Sequence, residues 1–299
     1  MFRKFDLIFI SRLCIGLLFF NLSFVSLTRA EVKVVDDLGE TVILTQPAQR
    51  IVSLAPHITE TLFSAGAGDK IVGAVSYSDY PEAAKAIPRV GGYPSLDLER
   101  IVSLKPDLVI AWTENNPNQI DKLKKFALNI FITDPHHPED IAKTIQRFGI
   151  LAGTEKTANK ATDDFIRHYN SLKKRFSTKK KVKVFYQIWN KPIMTVSSKS
   201  LISDVIELCG GENVFANLNV ATPRISLEAV LTSKSDVIIS GGMGTARPEW
   251  LDEWRKWREL PAVKNNQLYY IDPSLMQRVG PRILQGADHL CEKLELARN

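Results

Sequence analysis

Cysteine is scarce in this sequence, three in 299 residues, which excludes a small scaffold held by many disulfides. After the amino terminus there is no run of about 20 apolar residues, so no later segment reads as a membrane span. A G-x-S-x-G nucleophile elbow and P-loop spacing are missing as well. "GGMGTA" from Gly241 is cut short by Pro248 and lacks the third glycine of a dinucleotide loop, and the glycines of "SAGAGDK" from Ser64 follow a helix and read as its stop. Acyl transfer therefore lacks a nucleophile, and no acid/base pair stands out; an enzyme on a two-lobe scaffold is the reading set aside. The five histidines, His57, His136, His137, His168 and His289, make no set at metal-ligand spacing. His57, directly after a buried strand, is the best single candidate, but dedicated metal binding is not expected.

What is present is a chain with 44% hydrophobic and 24% charged residues, enough for a sizeable core in one large domain or two smaller ones. Its net charge of +6 is partly local. The first thirty residues carry Arg3, Lys4, Arg12 and Arg29 against Asp6, and the remainder holds 35 basic and 32 acidic residues, which gives no reason to propose a nucleic-acid surface. The same thirty residues have a basic start, an apolar run interrupted at Asn21, and the ending Thr28-Arg29-Ala30. That pattern predicts an export signal cleaved after Ala30, hence a soluble, exported mature protein. Cys14 leaves with it. Cys209 and Cys291 remain in an oxidising compartment, where a disulfide is the default and two buried free thiols the alternative.

Short apolar runs alternate with helical patterns along the rest of the chain. Val42–Leu44, Ile51–Leu54, Ile71–Val75, Leu108–Ala111 and Ile130–Ile132 read as strands; Thr59 to Ala65 and Asp140 to Leu151 read as helices. The second half repeats the plan, with strands at Val182–Tyr186, Val237–Ile239 and Leu268–Ile271 and helices at Leu201–Leu208 and from Arg282 to about Ala297. "SLDLERIVSLKPDLVIA" from Ser95 aligns with "RISLEAVLTSKSDVIIS" from Arg224 at an offset of 129, pairing Glu99 with Glu228, Lys105 with Lys234 and Asp107 with Asp236. A weaker match at an offset of 144 pairs the helices that stop at Gly66 and Gly210. The expected fold class is α/β, two similar lobes (31–153 and 179–299), each a mostly parallel sheet flanked by helices. Between them, 154–178 carries Phe165, Tyr169, Leu172 and Phe176 on one stripe with almost no glycine or serine, which predicts a long stiff helix and limited lobe movement.

Rings recur after strand carboxyl ends: Tyr77 and Tyr80, Tyr93, Trp112 and Trp189. Such rings suit a large, flat, partly apolar ligand. Trp250, Trp254 and Trp257, spaced four and three apart, read as a buried helical stripe instead.

The stretches "RIVSLAPHITETLFSAGAGDKIVGAVSYSDYPEAAKAIPRVGGY", "SLDLERIVSLKPDLVIAW", "VKVFYQIWNKP", "LISDVIELCGGENVF" and "IDPSLMQRVGPRILQGADHLCEKL" resemble the periplasmic cobalamin-binding proteins of vitamin B12 ABC importers, within the helical-backbone (class III) substrate-binding proteins. The resemblance covers about residues 48–298. It implies that Glu99 and Glu228 meet arginines of a two-fold permease, one acidic knob per lobe. It further implies that Cys209 and Cys291 pair, that Tyr77 contacts a corrin, and that Ser274, Leu275, Met276, Gln277 and Arg278 form a ligand-contacting loop. The expected ligand is cobalamin, bound by a monomer and not used as a catalytic cofactor. Tyr93 and Thr222 stand where well-known members have tryptophan, and Ser274 where they have an acid, which leaves another corrinoid, haem, a ferric siderophore or a metal as alternatives.

Overall fold

The structure is a computed structural model that describes residues 31–92, 95–242 and 246–298. The expected export signal and Tyr93 lie outside the described residues. Residues 31–299 form one compact unit.

The described chain opens on an antiparallel hairpin, β1 (Val32–Val35) with β2 (Thr41–Leu44). The apolar run Val42–Leu44 is thus no member of a parallel sheet. Val42 and Leu44 are buried while Ile43 and Val35 are exposed, the alternation of a ribbon with one face in water.

Four strands follow in a parallel sheet: β3 (Ile51–Ser53), β4 (Ile71–Ala74), β5 (Leu108–Trp112) and β6 (Ile130–Thr133), in the order β4-β3-β5-β6. A second parallel sheet contains β7 (Val182–Gln187), β8 (Gly211–Asn213), β9 (Val237–Ser240) and β10 (Leu268–Tyr270), in the order β8-β7-β9-β10. Numbered within each sheet, both run 2-1-3-4. The second strand of the second sheet, Gly211–Asn213, carries no apolar run and so leaves no strand pattern in the sequence. Alternate residues feed opposite faces, as the two-residue period of a strand dictates. Ile51, Leu108, Ile110 and Phe131 of the first sheet share one continuous core with Val182, Val184, Tyr186, Val237 and Ile239 of the second. Val52, Val109, Ala111 and Ile132 face the other way into a separate cluster, and Phe185, Ile238 and Leu268 into a third. Covering each sheet on both faces explains why its strands are apolar throughout rather than alternating.

Among the described residues, eight α-helices of six residues or more accompany the sheets: α1 (Pro56–Ser64), α2 (Leu98–Ser103), α3 (Pro117–Lys125), α4 (Pro138–Ala152), α5 (Glu155–Phe176), α6 (Leu201–Leu208), α7 (Leu227–Ser233) and α8 (Ile283–Arg298). α1 begins three residues earlier than its expected start at Thr59, because Pro56 is preset for a first helical position and needs no N–H there. The expected helix through Trp250, Trp254 and Trp257 is a 3-10 run, Glu249–Lys256, with Trp257 as its C-cap; of the three tryptophans only Trp254 is buried, edge-on to Phe185 at 5.7 Å. α5 spans about 33 Å at 1.5 Å per residue, and it packs on α1, α4, α6 and α8, elements attached to both sheets. Its stripe, Phe165, Leu172 and Phe176, is buried, with Tyr169 packed against the same core.

The sequence repeat is a structural one. Asp107 accepts hydrogen bonds from the Gln49 and Arg50 amides (2.8 and 3.0 Å), and Asp236 accepts one from the Lys183 amide (2.9 Å). Each ties the entry of the third strand to the first. Lys105 and Lys234 both take positive φ, 48° and 49°, and Gly66 and Gly210 close α1 and α6 at +81° and +70°, a conformation glycine adopts without a side-chain penalty. Cys209, which caps α6, is disulfide-bonded to Cys291 of α8 across 82 residues.

Candidate functional site

In both sheets the strand order reverses between the first and third strands, and the carboxyl ends there form the position where open α/β sheets hold ligands. In the first sheet Asn115 stitches this point: its amide donates to the Leu54 carbonyl (3.0 Å) and its oxygen accepts from the Trp112 amide (2.8 Å). Trp112 meets His57 edge-to-face, centroids 4.9 Å apart. His57 lies in the first turn of α1 rather than in a loop and is buried, with no hydrogen-bond partner on Nε2 among the described residues. Burial and the nearby Arg278 charge hold its pKa down at about 3, so the ring is neutral.

In the second sheet, Gln187 donates to the Trp189 carbonyl (3.0 Å) and accepts from the Trp254 indole (2.7 Å). Trp189 is half-buried, its indole donating to the Lys191 carbonyl. Gly241 follows β9 in a space that admits no side chain: a Cβ there would lie 2.4 Å from Gln277 Nε2 and 2.8 Å from Tyr186 Oη.

One strip of chain touches both points. Gln277 Nε2 lies 3.4 Å from the Gly242 carbonyl, and Gly280 packs against His57, where an added Cβ would come within 3.4 Å. Between them Arg278 donates to Glu60 (2.8 Å) and Asp79 (2.7 Å). Arg282 makes two hydrogen bonds of 2.8 Å to the Glu60 carboxylate, with its guanidinium 4.0 Å from the centre of the Tyr80 ring. Tyr80, one of the rings expected after a strand end, belongs to this site together with Glu60, Asp79 and Arg282, and sequence reasoning did not place the three charged residues there. Their only signal is that they fall inside the stretches bearing the family resemblance, since Glu60 and its arginines are 218 and 222 residues apart.

The expected site residues are placed as follows. Trp112, Gln277 and Arg278 come together at this junction. Tyr77 is 80% exposed, and Ser274 and Leu275, which lead into the strip, are half-buried. Met276 turns inward, 2% exposed, its sulfur where a Cβ on Gly286 would intrude. Glu99 and Glu228 stand exposed in the first turns of α2 and α7, capped by Asp97 and Ser226. Each helix borders an apolar groove, Leu98, Val102 and Phe126 in one case and Leu231, Trp257 and Leu260 in the other. Among the described residues there is no group of three or more histidine, cysteine or carboxylate side chains placed to hold a metal, and no helix long and apolar enough to cross a membrane.

Two matching α/β halves with their switch points bridged by one strip are the two-lobed architecture of periplasmic substrate-binding proteins. The periplasmic binding protein family model matches residues 51–275, and the chain belongs to that family. Within it, the chain is 39% identical over 254 residues, 84% of its length and 90% of the relative's, to the vitamin B12-binding protein of Vibrio parahaemolyticus. The crystal structure of the periplasmic vitamin B12-binding protein BtuF of Vibrio cholerae superposes with a TM-score of 0.78 at 34% identity, covering 85% of this chain and 99% of that one. The periplasmic haem-binding protein HutB of the same species shares the fold alone, with a TM-score of 0.73 at 22% identity over 82% of this chain and 98% of that one.

Proposed function

We propose that this chain is a periplasmic receptor that captures a corrinoid, cobalamin in the first place, and delivers it to the permease of an ABC transporter. The observation that carries the reading is the strip 276–282, which contacts the switch points of both sheets at once, so that a ligand resting on it meets both halves. In this reading residues 1–30 are a cleaved export signal, 31–153 and 179–299 are the lobes, and 154–178 is the backbone helix joining them. Tyr77, Tyr93, Trp112 and Trp189 offer rings to the corrin face, and Ser274, Leu275, Gln277 and Arg278 edge the ligand, while Met276 supports the strip from below. The relatives named as vitamin B12-binding proteins support cobalamin over haem, whose receptors share only the fold. Glu99 and Glu228 dock the permease. Their equivalent places, each in the first turn of the helix before the third strand of its sheet, suit a partner with two-fold symmetry.

Calorimetric titration of the purified monomer with cyanocobalamin, haemin and a ferric siderophore tests the ligand. A dissociation constant for cyanocobalamin below about 10 μM is expected, and a weaker one overturns the assignment.

A further inference from the structure

The charges at the junction are balanced. Arg278 and Arg282 face Glu60 and Asp79, two cations against two anions: both arginines bind the Glu60 carboxylate, and Arg278 also binds Asp79. Glu60 is 2% exposed and the arginines 18% and 13%, whereas Asp79 is 49% exposed and forms the outer edge of the cluster. Burial pushes the Asp79 carboxyl up, but the hydrogen bond and charge of Arg278 outweigh it and hold it below the usual carboxylate range, so it is ionised at neutral pH.

We propose that Asp79 is a charge-selectivity residue for the ligand: by neutralising Arg278 at the edge of the junction, it disfavours dianionic tetrapyrroles and admits neutral, carboxamide-bearing ones. The inference rests on the corrinoid reading above and deepens it. A guanidinium is the preferred partner of a carboxylate because its planar fork matches two oxygens. Arg278 already engages two carboxylates, and a ligand carboxylate brought beside Asp79 meets a like charge as well as an occupied cation. A carboxamide meets neither obstacle. Its N–H donates to the exposed Asp79 oxygen, and its neutral carbonyl brings no charge to be balanced. Haem carries two propionates on the same kind of macrocycle whose corrinoid counterpart carries amides, so a single carboxylate of the protein separates the two by charge rather than by shape.

The test compares the ratio of haemin to cyanocobalamin affinity in the wild-type protein, Asp79→Asn and Asp79→Glu, with haemin dimethyl ester as a third probe. Asp79→Asn is expected to raise the haemin ratio by about tenfold or more by relieving the like-charge contact. Asp79→Glu should restore the wild-type ratio, and the uncharged ester should gain nothing from Asp79→Asn. Glu60→Gln, which unbalances the same cluster from below, should move the ratio in the same direction wherever its thermal melt shows a folded protein. An unchanged ratio in Asp79→Asn, or an equal gain for the ester, overturns the inference. Failure of the wild-type protein to bind cyanocobalamin overturns the corrinoid reading instead, and the haemin-to-ester comparison still decides the role of Asp79.

Discussion

Two histidines show how the same side chain acquires opposite roles from its surroundings. His57, buried against Trp112 and near Arg278, refuses a proton until about pH 3, whereas the unfolded chain accepts one near 6.5. A depressed histidine pKa means that stability falls as pH drops from about 6.5 towards 3. His137, hydrogen-bonded to Asp204 of α6 at 2.6 Å, has its pKa raised by that carboxylate, so its contribution is fully present below about 6.5 and is lost as pH rises through the folded value. Thermal melts between pH 4 and 8.5 separate them. His57→Gln should flatten the acid side of the stability curve, and His137→Ala should lie furthest below wild type at mildly acid pH, approaching it at alkaline pH as His137 deprotonates and again at the acid end, where Asp204, its carboxyl pushed up by burial, takes a proton. Curves parallel to wild type would sink both assignments. Histidine content was legible in the sequence, but neither partner was, since Asp204 is 67 residues from His137.

At the scale of elements, the junction between α4 and α5 and the link between α6 and α8 determine how the halves are joined. Gly149 lets α5 approach α4 so closely that an added Cβ would sit 2.3 Å from the Ala158 Cβ. Alanine is the better helix former by about 1 kcal/mol, yet here overpacking wins. Gly149→Ala is expected to destabilise by about 1–2 kcal/mol in urea unfolding, and a stabilised variant would show that the helices separate at no cost. The Cys209–Cys291 bond closes a loop of 82 residues between α6 and α8. Replacing both cysteines with serine should lower unfolding free energy by about 2–5 kcal/mol, read from denaturant midpoints under non-reducing conditions. Helix periodicity made α5 legible almost to the residue, because its buried stripe repeats in step with the helical turn. β8 was not legible, because a short strand of glycine and polar residues carries no such period, and the run at Glu249–Lys256 read as an ordinary helix because its tryptophan spacing does not tell a 3-10 turn from an α turn.

Across the whole molecule, the duplicated 2-1-3-4 sheets place Glu99 and Glu228 at corresponding positions. Reversing both to lysine should abolish uptake of labelled cobalamin in a cell expressing the transporter, while calorimetry returns the wild-type ligand affinity. Retained uptake would remove the docking role, and lost affinity would place these residues at the ligand instead. The two halves are also tied at separate places, by α5 along its length, by His137–Asp204, and by the Glu60–Arg278–Arg282 cluster.

By itself the sequence determined the α/β class of each half and the repeat that relates the halves. Strand and helix periods and helix stops depend on neighbours within about twenty residues and are written directly into the chain, and the repeat shows as one such pattern written twice. Only the tertiary structure decided that Arg278 spends its charge on Glu60 and Asp79, that Met276 turns inward, and that His57 is buried rather than offered to a ligand. An ion pair requires its atoms within about 4 Å, and partners some 200 residues apart reach that distance only after both sheets and the strip between them have packed.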